Sequence, residues 1–252
     1  MAQDDTTTRA GAATPFENTH WTAVMLAAQR DMPGADDALD ALCRKYWPPI
    51  YAFLRRQGHN PEDAKDLTQG FFAQLLRGHG LDSVHPSFGR FRTFLLACLK
   101  NHVRNELDKQ RTQKRGAGQV IVPLSSLTSE VAARFEPRVT DDPLTAFQRQ
   151  WAVTLITEVL GRLKARSAEQ GKGELFECLS PFLTDEADRG DYATVAVRVN
   201  MSEGALRTAA TRLRGEFRKL LLEEVRRTVH DDEEVEDEIR HLFCAVSSSV
   251  QT

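Results

Sequence analysis

A dense group of cations between residues 88 and 116 is the part of the sequence whose side chains could most readily do chemistry. Eight Lys and Arg residues stand there against two carboxylates, in a chain whose net charge is −3. Cations spaced along one segment can neutralise successive phosphates and release their counterions. They also occur as ordinary solvated surface, and both interpretations remain open at this point. The eight cations are Arg90, Arg92, Lys100, Arg104, Lys109, Arg111, Lys114 and Arg115.

Catalytic side chains are sparse by comparison. His102 and Glu106 lie one helical turn apart, with Cys98 nearby in sequence, but a His and a Glu at this spacing are typical of a surface pair. No HExxH motif and no Gly-rich phosphate loop occurs. The four cysteines are isolated, and neither their spacing nor nearby histidines support a zinc site. The sequence therefore predicts no enzyme activity, no metal and no cofactor.

The overall composition fits a globular protein without a membrane segment. The 252 residues are enough for one or two domains, and 41 % of them are apolar. No apolar run approaches the roughly twenty residues that a membrane span needs. The N-terminal segment lacks the apolar core of a secretory signal, and isolated cysteines are typical of a reducing compartment. We therefore expect a cytoplasmic protein with a disordered tail over residues 1–15, followed by a helix for which Thr19 is a candidate cap.

The basic residues are carried by a predicted helix with one apolar face. Apolar residues recur along it at steps of three, four and one, which is the stripe of a helix packed on a core. The other face is basic and must point at solvent or at a polyanion. The stripe consists of Phe91, Phe94, Leu95, Cys98, Leu99, Val103 and Leu107.

Two more predicted helices precede the basic one. The first runs from about residue 36 to residue 58, with Trp47-Pro48-Pro49 as either a kink or a fresh start. Asn60 and Pro61 are typical of the cap and the first position of the second helix. Residues 78–89 contain glycines and a proline and are predicted to be a loop.

The C-terminal half has the pattern of a second helical unit. Residues 116–142 lack periodicity and are predicted to be a linker, after which Asp142-Pro143 begins a helical set. Within this set, a short helix, the turn Asn200-Met201-Ser202 and an Arg-rich helix follow one another, which favours a helix-turn-helix. Ser202 can cap the second helix. Its side chains that suit base edges or phosphates are Arg207, Thr208, Thr211, Arg212 and Arg214.

An acidic segment ends the chain. Residues 231–238 hold seven carboxylates, and Val235, Ile239, Leu242 and Phe243 have the spacing of an amphipathic helix. Such a helix could dock on its own protein or on a partner, and its acidic face could cover a basic DNA-binding face. A simple capping helix is the alternative.

Three ordered motifs, PEDAKDLTQGFFAQLL, GRFRTFLLACLKNHVRNELDKQR and RLRGEFRKLL, resemble those of bacterial RNA polymerase sigma factors over residues 17–229. The chain is most similar to the extracytoplasmic-function group. The resemblance implies an all-α fold of two small domains joined by a flexible linker, without enzyme activity. The implied parts are residues 16–115 (core polymerase and -10 element), 116–142 (linker), 143–229 (-35 element) and 230–252 (acidic extension).

The resemblance also implies roles for individual residues. The implied contacts with the polymerase β′ subunit are Asp63, Asp66, Gln69 and Phe72. The implied contacts with the -10 element are Arg92, Lys100, Asn101, Arg104, Asp108 and Arg111. The implied contacts with the -35 element are Arg207, Thr208, Thr211, Arg212 and Arg214. The chain departs from the family at Thr194, where a Glu is usual, and this affects the -35 sequence preference rather than the class.

The implied partners are core RNA polymerase, through its β and β′ subunits, and promoter DNA. An anti-sigma factor or a Ser/Thr kinase would be a further partner, and Thr68 is a hypothetical phosphorylation site within the polymerase-binding helix. The acidic extension could instead mask the recognition helix. A free-standing helix-turn-helix regulator is the alternative function, although such a protein needs neither the 88–116 helix nor the acidic patch before it.

Overall fold

In a computed structural model, the described residues are 24, 26, 27, 32–77, 90–112, 137, 138, 140–183, 189–229 and 234–247. Their regular structure is helical, with no strand among them, which confirms the predicted all-α fold. One 3-10 turn, Ser180–Leu183, follows the fifth helix. The α-helices are α1 (Ala35–Arg56), α2 (Pro61–Arg77), α3 (Phe91–Thr112), α4 (Pro143–Glu169), α5 (Gly173–Leu179), α6 (Arg189–Arg198), α7 (Glu203–Arg226) and α8 (Glu234–Ser247).

Side-chain caps fix the starts of three helices where the sequence predicted them. The Asn60 side chain accepts a hydrogen bond from the backbone N–H of Asp63 at 2.8 Å, before α2. Asp142 accepts from two backbone N–H groups at the start of α4, with Pro143 in the first turn. Ser202 accepts from the N–H of Ala205 at 3.2 Å, before α7. Each cap satisfies donors that the first helical turn leaves without a partner.

The proline pair of α1 neither ends nor restarts the helix. Pro48 and Pro49 are buried inside a continuous helix of 22 residues. Proline removes a backbone donor and usually breaks a helix interior. Here the neighbouring Trp47 and Tyr51 stack at 5.1 Å between ring centroids, and both are almost fully buried. Burial of these large rings offsets the local loss of hydrogen bonding.

One large hydrophobic core joins helices from both halves of the chain. It contains residues of α1, α2 and α3 together with α4, the C-terminal part of α7, and α8. The closest packing is between α1 and α4. Phe147, Leu155 and Leu163 of α4 are fully buried in it. The region predicted as an N-terminal domain is therefore packed against the region predicted as a C-terminal domain, a contact that the sequence did not predict.

A buried ion network lies at the same junction. Lys45 of α1 donates to Glu224 of α7 at 2.8 Å and lies 2.7 Å from Glu158 of α4. Arg162 of α4 and Arg227 add contacts to Glu224 at 2.9 and 3.2 Å. Buried charges are tolerated only when they are paired in this way. The network fixes the positions of α1, α4 and α7 relative to one another.

A second, smaller core supports the segment predicted as a helix-turn-helix. It is formed by α5, the 3-10 turn, α6 and the N-terminal half of α7, and its buried members include Leu179, Tyr192 and Leu206. Asn200 lies in the left-handed backbone region at φ 52°, which the tight turn between α6 and α7 requires. This segment is thus a unit that α7 connects to the main core.

Several sequence-based predictions concern residues outside the described part. These are the tail at 1–15, the cap at Thr19, the loop at 78–89, and most of the linker at 116–142. Residues 230–233 of the acidic segment are also outside it. Within the part of the chain that the structure describes, no helix is long and apolar enough to cross a membrane.

Candidate nucleic-acid interface

The middle of α3 presents polar residues to solvent. Lys100, Asn101, Arg104 and Asp108 are all exposed. The Arg104 guanidinium donates to the side-chain oxygen of Asn101 at 3.2 Å, so the two residues form one polar surface. Arg111 belongs to the last turn of α3, and its side chain is outside the described part. This surface can donate hydrogen bonds to phosphates and base edges.

Arg92, an implied contact with the -10 element, is not on that surface. Its exposed fraction is 9 %. Its guanidinium lies 4.4 Å from the ring centroid of Trp151 and donates to Glu238 at 2.7 Å. Burial, together with the neighbouring Arg90, lowers the pKa of Arg92 to about 10, so the side chain remains charged at neutral pH. The cation is held by α4 and α8 instead of facing solvent.

The α2 surface agrees only in part with its predicted polymerase contacts. Asp63 and Asp66 are exposed, and Gln69 is half-buried. Phe72, also an implied polymerase contact, has an exposed fraction of 3 % and packs edge-on against Phe71 at 5.5 Å. Phe72 lies on the apolar side of α2 and supports the helix from within the core.

α2 and α3 are held together by a buried histidine. His102 is 5 % exposed, and its Nδ1 lies 2.5 Å from the amide oxygen of Gln74, to which it donates. Its ring lies edge-on to Phe71 at 5.8 Å. A Cβ at Gly70 would lie 3.5 Å from His102 Nε2, an ordinary van der Waals contact, so the two helices lie close together at this point. Burial is the main cause that lowers the pKa of His102, and the neutral form is favoured.

The residues considered for catalysis do not form a site. His102 faces Gln74, whereas Glu106 pairs with Lys109 at 2.6 Å. Burial raises the pKa of the Cys98 thiol, which is the opposite of what a nucleophile needs. Within the described ranges, no three His, Cys, Asp or Glu side chains are grouped to hold a metal ion.

The N-terminal half of α7 is open to solvent. Its exposed polar residues include the implied -35 contacts Arg207, Thr208, Thr211 and Arg212. Arg207 lies 4.7 Å from the ring centroid of Tyr192 and donates twice to Glu203, at 3.0 and 2.6 Å. Tyr192 and Glu203 thereby orient the guanidinium before any ligand binds. α6 packs against α7 from behind, as a supporting helix does in a helix-turn-helix.

Arg214, an implied contact with the -35 element, has its guanidinium engaged within the protein. Its guanidinium donates to the backbone oxygen of Phe182 at 3.1 and 2.9 Å and to the Tyr192 hydroxyl at 3.1 Å. These bonds point into the small core rather than toward solvent. Arg214 therefore joins α7 to the 3-10 turn and α6.

α8 packs against α4 and α7 and reaches only the start of the basic helix α3. Glu238 is completely buried and pairs with both Arg90 and Arg92 at the start of α3. Arg207 and Arg212 remain exposed, so residues 234–247 of the extension do not mask them. The carboxylates of α8 pair with the two arginines at the start of α3, while Lys100 and Arg104 further along that helix are exposed.

The hypothesis of phosphorylation at Thr68 also disagrees with the structure. Thr68 is completely buried, and its hydroxyl donates to the backbone oxygen of Ala64 at 2.7 Å. A kinase cannot reach a hydroxyl in that position while α2 is folded.

Three partners of the site were missed from the sequence. In the sequence, Trp151 and Tyr192 occupy apolar positions of their helices, yet in the structure each lies beside an arginine. Glu238 was counted as one carboxylate among many. The signal that could have singled it out is its position four residues after Glu234 and beside the apolar Ile239, which places it on the edge of the docked face.

A family model described as Sigma-70 region 2 matches residues 42–113. The match begins within α1, includes all of α2 and α3, and ends before α4. No curated protein and no solved structure gives a significant match to the chain. The matched helices carry the exposed acidic residues of α2 and the exposed polar face of α3. The match relates the part of the chain that carries these helices to Sigma-70 region 2.

Proposed function

We propose that this chain is a sigma factor of the extracytoplasmic-function group with no enzyme activity of its own. It binds core RNA polymerase in the cytoplasm, recognises -10 and -35 promoter elements, and promotes DNA opening. The observation that carries the proposal is the region 2 match over residues 42–113, whose α3 presents an exposed polar face. A helix-turn-helix with an open recognition surface follows in the same chain.

The polymerase contact is assigned to the solvent face of α2. Asp63, Asp66 and Gln69 lie along this helix, which is backed by Phe71 and Phe72 in the core. A rigid helix with exposed carboxylates and an amide suits a polar protein interface, where charge complementarity sets the partner and the register.

The -10 contact is assigned to α3. Lys100, Asn101, Arg104 and Asp108 form its exposed polar face, and Arg111 follows on the last turn. Opening a duplex requires cations for the backbone and polar groups for unstacked bases, and it requires no nucleophile. The absence of an assembled catalytic set in the described residues is compatible with this role.

The -35 contact is assigned to the N-terminal half of α7. Arg207 and Arg212 can each reach guanine edges or phosphates, while Thr208 and Thr211 suit phosphates and thymine methyls. The two threonine hydroxyls donate to backbone oxygens one turn earlier at 3.0 Å, which leaves their methyl groups to face a ligand.

Assembly with core polymerase tests the proposal. We expect the wild-type chain to form a stoichiometric complex with bacterial core RNA polymerase on size-exclusion chromatography. Asp66→Arg should abolish the complex, because it places a cation in the acidic surface while leaving the core of α2 untouched. The matched control is Glu169→Arg, a charge reversal at the exposed end of α4. Normal assembly of the Asp66 variant would remove α2 from the interface.

Duplex binding separates this function from a free-standing regulator. A sigma factor should bind promoter duplex weakly alone and tightly in the holoenzyme, whereas a regulator should bind tightly alone. In the holoenzyme, Arg212→Ala should weaken promoter binding by roughly 1–3 kcal/mol if the side chain reads a base edge. Arg218→Ala, also exposed on α7, is the control. Equal affinity of both variants would exclude Arg212 from base recognition.

A further inference from the structure

The start of α3 holds two arginines that share one carboxylate from the end of the chain. Arg92 donates to Glu238 Oε2 at 2.7 Å and contacts the second carboxylate oxygen as well. Arg90 lies 3.0 Å from Glu238 Oε2 and 3.8 Å from a carboxylate oxygen of Glu234. The Glu238 side chain is fully buried, and the Arg92 side chain is 10 % exposed.

The geometry of this cluster is that of an oxyanion site. Two oxygens of one carboxylate meet the planar guanidinium of Arg92, and a second guanidinium approaches from the side. Guanidinium groups recognise phosphate with the same two-point arrangement as carboxylate. The Trp151 ring lies 4.4 Å from Arg92 and fixes the plane of its guanidinium. The arrangement that holds Glu238 can therefore hold a phosphate in its place.

The helix that supplies the carboxylates is anchored along one side. Val235 and Leu242 are buried, and the half-buried Ile239, Ala245 and Val246 also pack against the core. The opposite side of α8 is exposed, including Glu236 and Phe243. By contrast, α1 and α4 remain in close contact without any contribution from α8. Release of α8 would uncover the two arginines without separating these two helices.

We propose that Arg90 and Arg92 form a phosphate-binding site for a nucleic-acid strand, and that α8 occupies this site as an internal competitor. Glu238 and Glu234 hold the positions that phosphate groups take when the strand binds. The proposal rests on the proposed function, because that function brings a DNA strand to α3. The competitor lowers the affinity of the free protein for DNA until α8 is displaced.

Single-stranded DNA binding by full-length variants tests the competition. The probe is a fluorescently labelled oligodeoxythymidylate followed by anisotropy. Glu238→Gln should bind about tenfold more tightly than wild type at about 50 mM salt, and its log–log salt slope should steepen by about 1.4, for two additional phosphates. Glu234→Gln should act in the same direction with a smaller effect, because its ion pair is longer and more exposed.

The matched control is Glu236→Gln, which removes the same charge from the exposed side of α8. It should change affinity by less than either of the other variants and leave the salt slope unaltered. Equal effects of all three substitutions would overturn the proposal, since the gain would then come from net charge and not from release of the two arginines.

Hydrogen exchange of the wild-type chain gives a test that needs no substitution. The oligonucleotide should speed exchange of the α8 amides over residues 234–247 and leave exchange of α4 unchanged. Unchanged protection of α8 at saturating oligonucleotide would overturn the proposal. Loss of protection on addition of core polymerase alone, with none on addition of DNA, would also overturn it, because a protein would then be the competing ligand.

These measurements are independent of holoenzyme assembly. If the chain fails to bind core polymerase but the Glu238 and Glu236 variants differ as described, the proposed function fails and the competition remains. If the chain binds core polymerase but the Glu238 and Glu236 variants do not differ, the proposed function stands and the competition fails.

Discussion

Two arginine-rich helices, the start of α3 and the N-terminal half of α7, look alike in the sequence and differ sharply in the structure. Arg92 in α3 has an exposed fraction of 9 %, whereas Arg207 and Arg212 in α7 are exposed. The difference comes from the sequence position of the glutamate that pairs with each arginine. Glu238 pairs with Arg92 from 146 residues away, whereas Glu203 pairs with Arg207 from within the same helix.

The two kinds of pair differ in energy as well as in position. An exposed pair one turn apart contributes about 0.3–0.5 kcal/mol and exchanges readily with solvent or a ligand. A buried pair is costly to form and more costly to break from one side. The exposed arginines of α7 are therefore open to a ligand, while the arginines at the start of α3 are already paired with a buried carboxylate.

The largest expected effect is on stability at the buried pair. Arg92→Ala should lower the free energy of unfolding by about 3 kcal/mol, because it leaves Glu238 buried with only Arg90 as a partner and removes the contact with Trp151. Urea denaturation of the full-length protein measures this change. Arg212→Ala should stay within about 0.5 kcal/mol of wild type. Similar losses for the two variants would mean that the two helices do not differ as described.

A smaller loss of stability is expected for a substitution within α7 itself. Arg214→Ala should lower the free energy of unfolding by about 1.5–3 kcal/mol, because its charged hydrogen bonds to Phe182 and Tyr192 hold the small core together. Arg218→Ala, exposed on the same helix, should be near neutral. Thermal unfolding of both variants compares them directly. If Arg214→Ala is also near neutral, then the residue belongs with the exposed arginines of the recognition surface.

The smallest effect is on the pH dependence of the free energy of unfolding, through His102 at the contact between α2 and α3. The pKa of His102 is lowered in the folded state from the usual 6.5, so below that pH the unfolded chain takes up a proton that the folded chain resists. The free energy of unfolding should therefore fall as pH drops below 6.5, by at most about 1.4 kcal/mol per unit for one proton. His102→Gln should make this slope shallower between pH 6.5 and pH 5.

Local signals in the sequence predicted a large part of this fold. The starts of α2, α4 and α7 follow from Asn60, Asp142 and Ser202, because a cap acts on donors two or three residues away. The apolar stripe of α3 also holds for Phe91, Leu95, Leu99 and Val103, which are buried. Leu107 continues the stripe in sequence but is 42 % exposed, since the core does not extend to it.

What the sequence could not predict depends on contacts between distant segments. The burial of Arg92 requires Trp151 and Glu238, and the burial of Lys45 requires Glu224, which is 179 residues away. A basic residue on a helix gives no local sign of such a partner. The continuity of α1 through Pro48 and Pro49 has the same cause, because packing overrides a local preference against helix. The roles of exposed residues on α2, α3 and α7 remain predictions from resemblance.

Transcription by the reconstituted holoenzyme is the most direct test of whether the chain acts as a sigma factor. Core RNA polymerase is combined with the full-length protein on genomic fragments, and run-off transcripts are mapped. For a sigma factor we expect discrete start sites that core polymerase alone does not use, each preceded by two shared sequence blocks. Arg212→Ala should alter the sequence preference at the upstream block only. Absence of chain-dependent starts, together with tight binding of the free protein to duplex DNA, would contradict it and would favour a free-standing regulator.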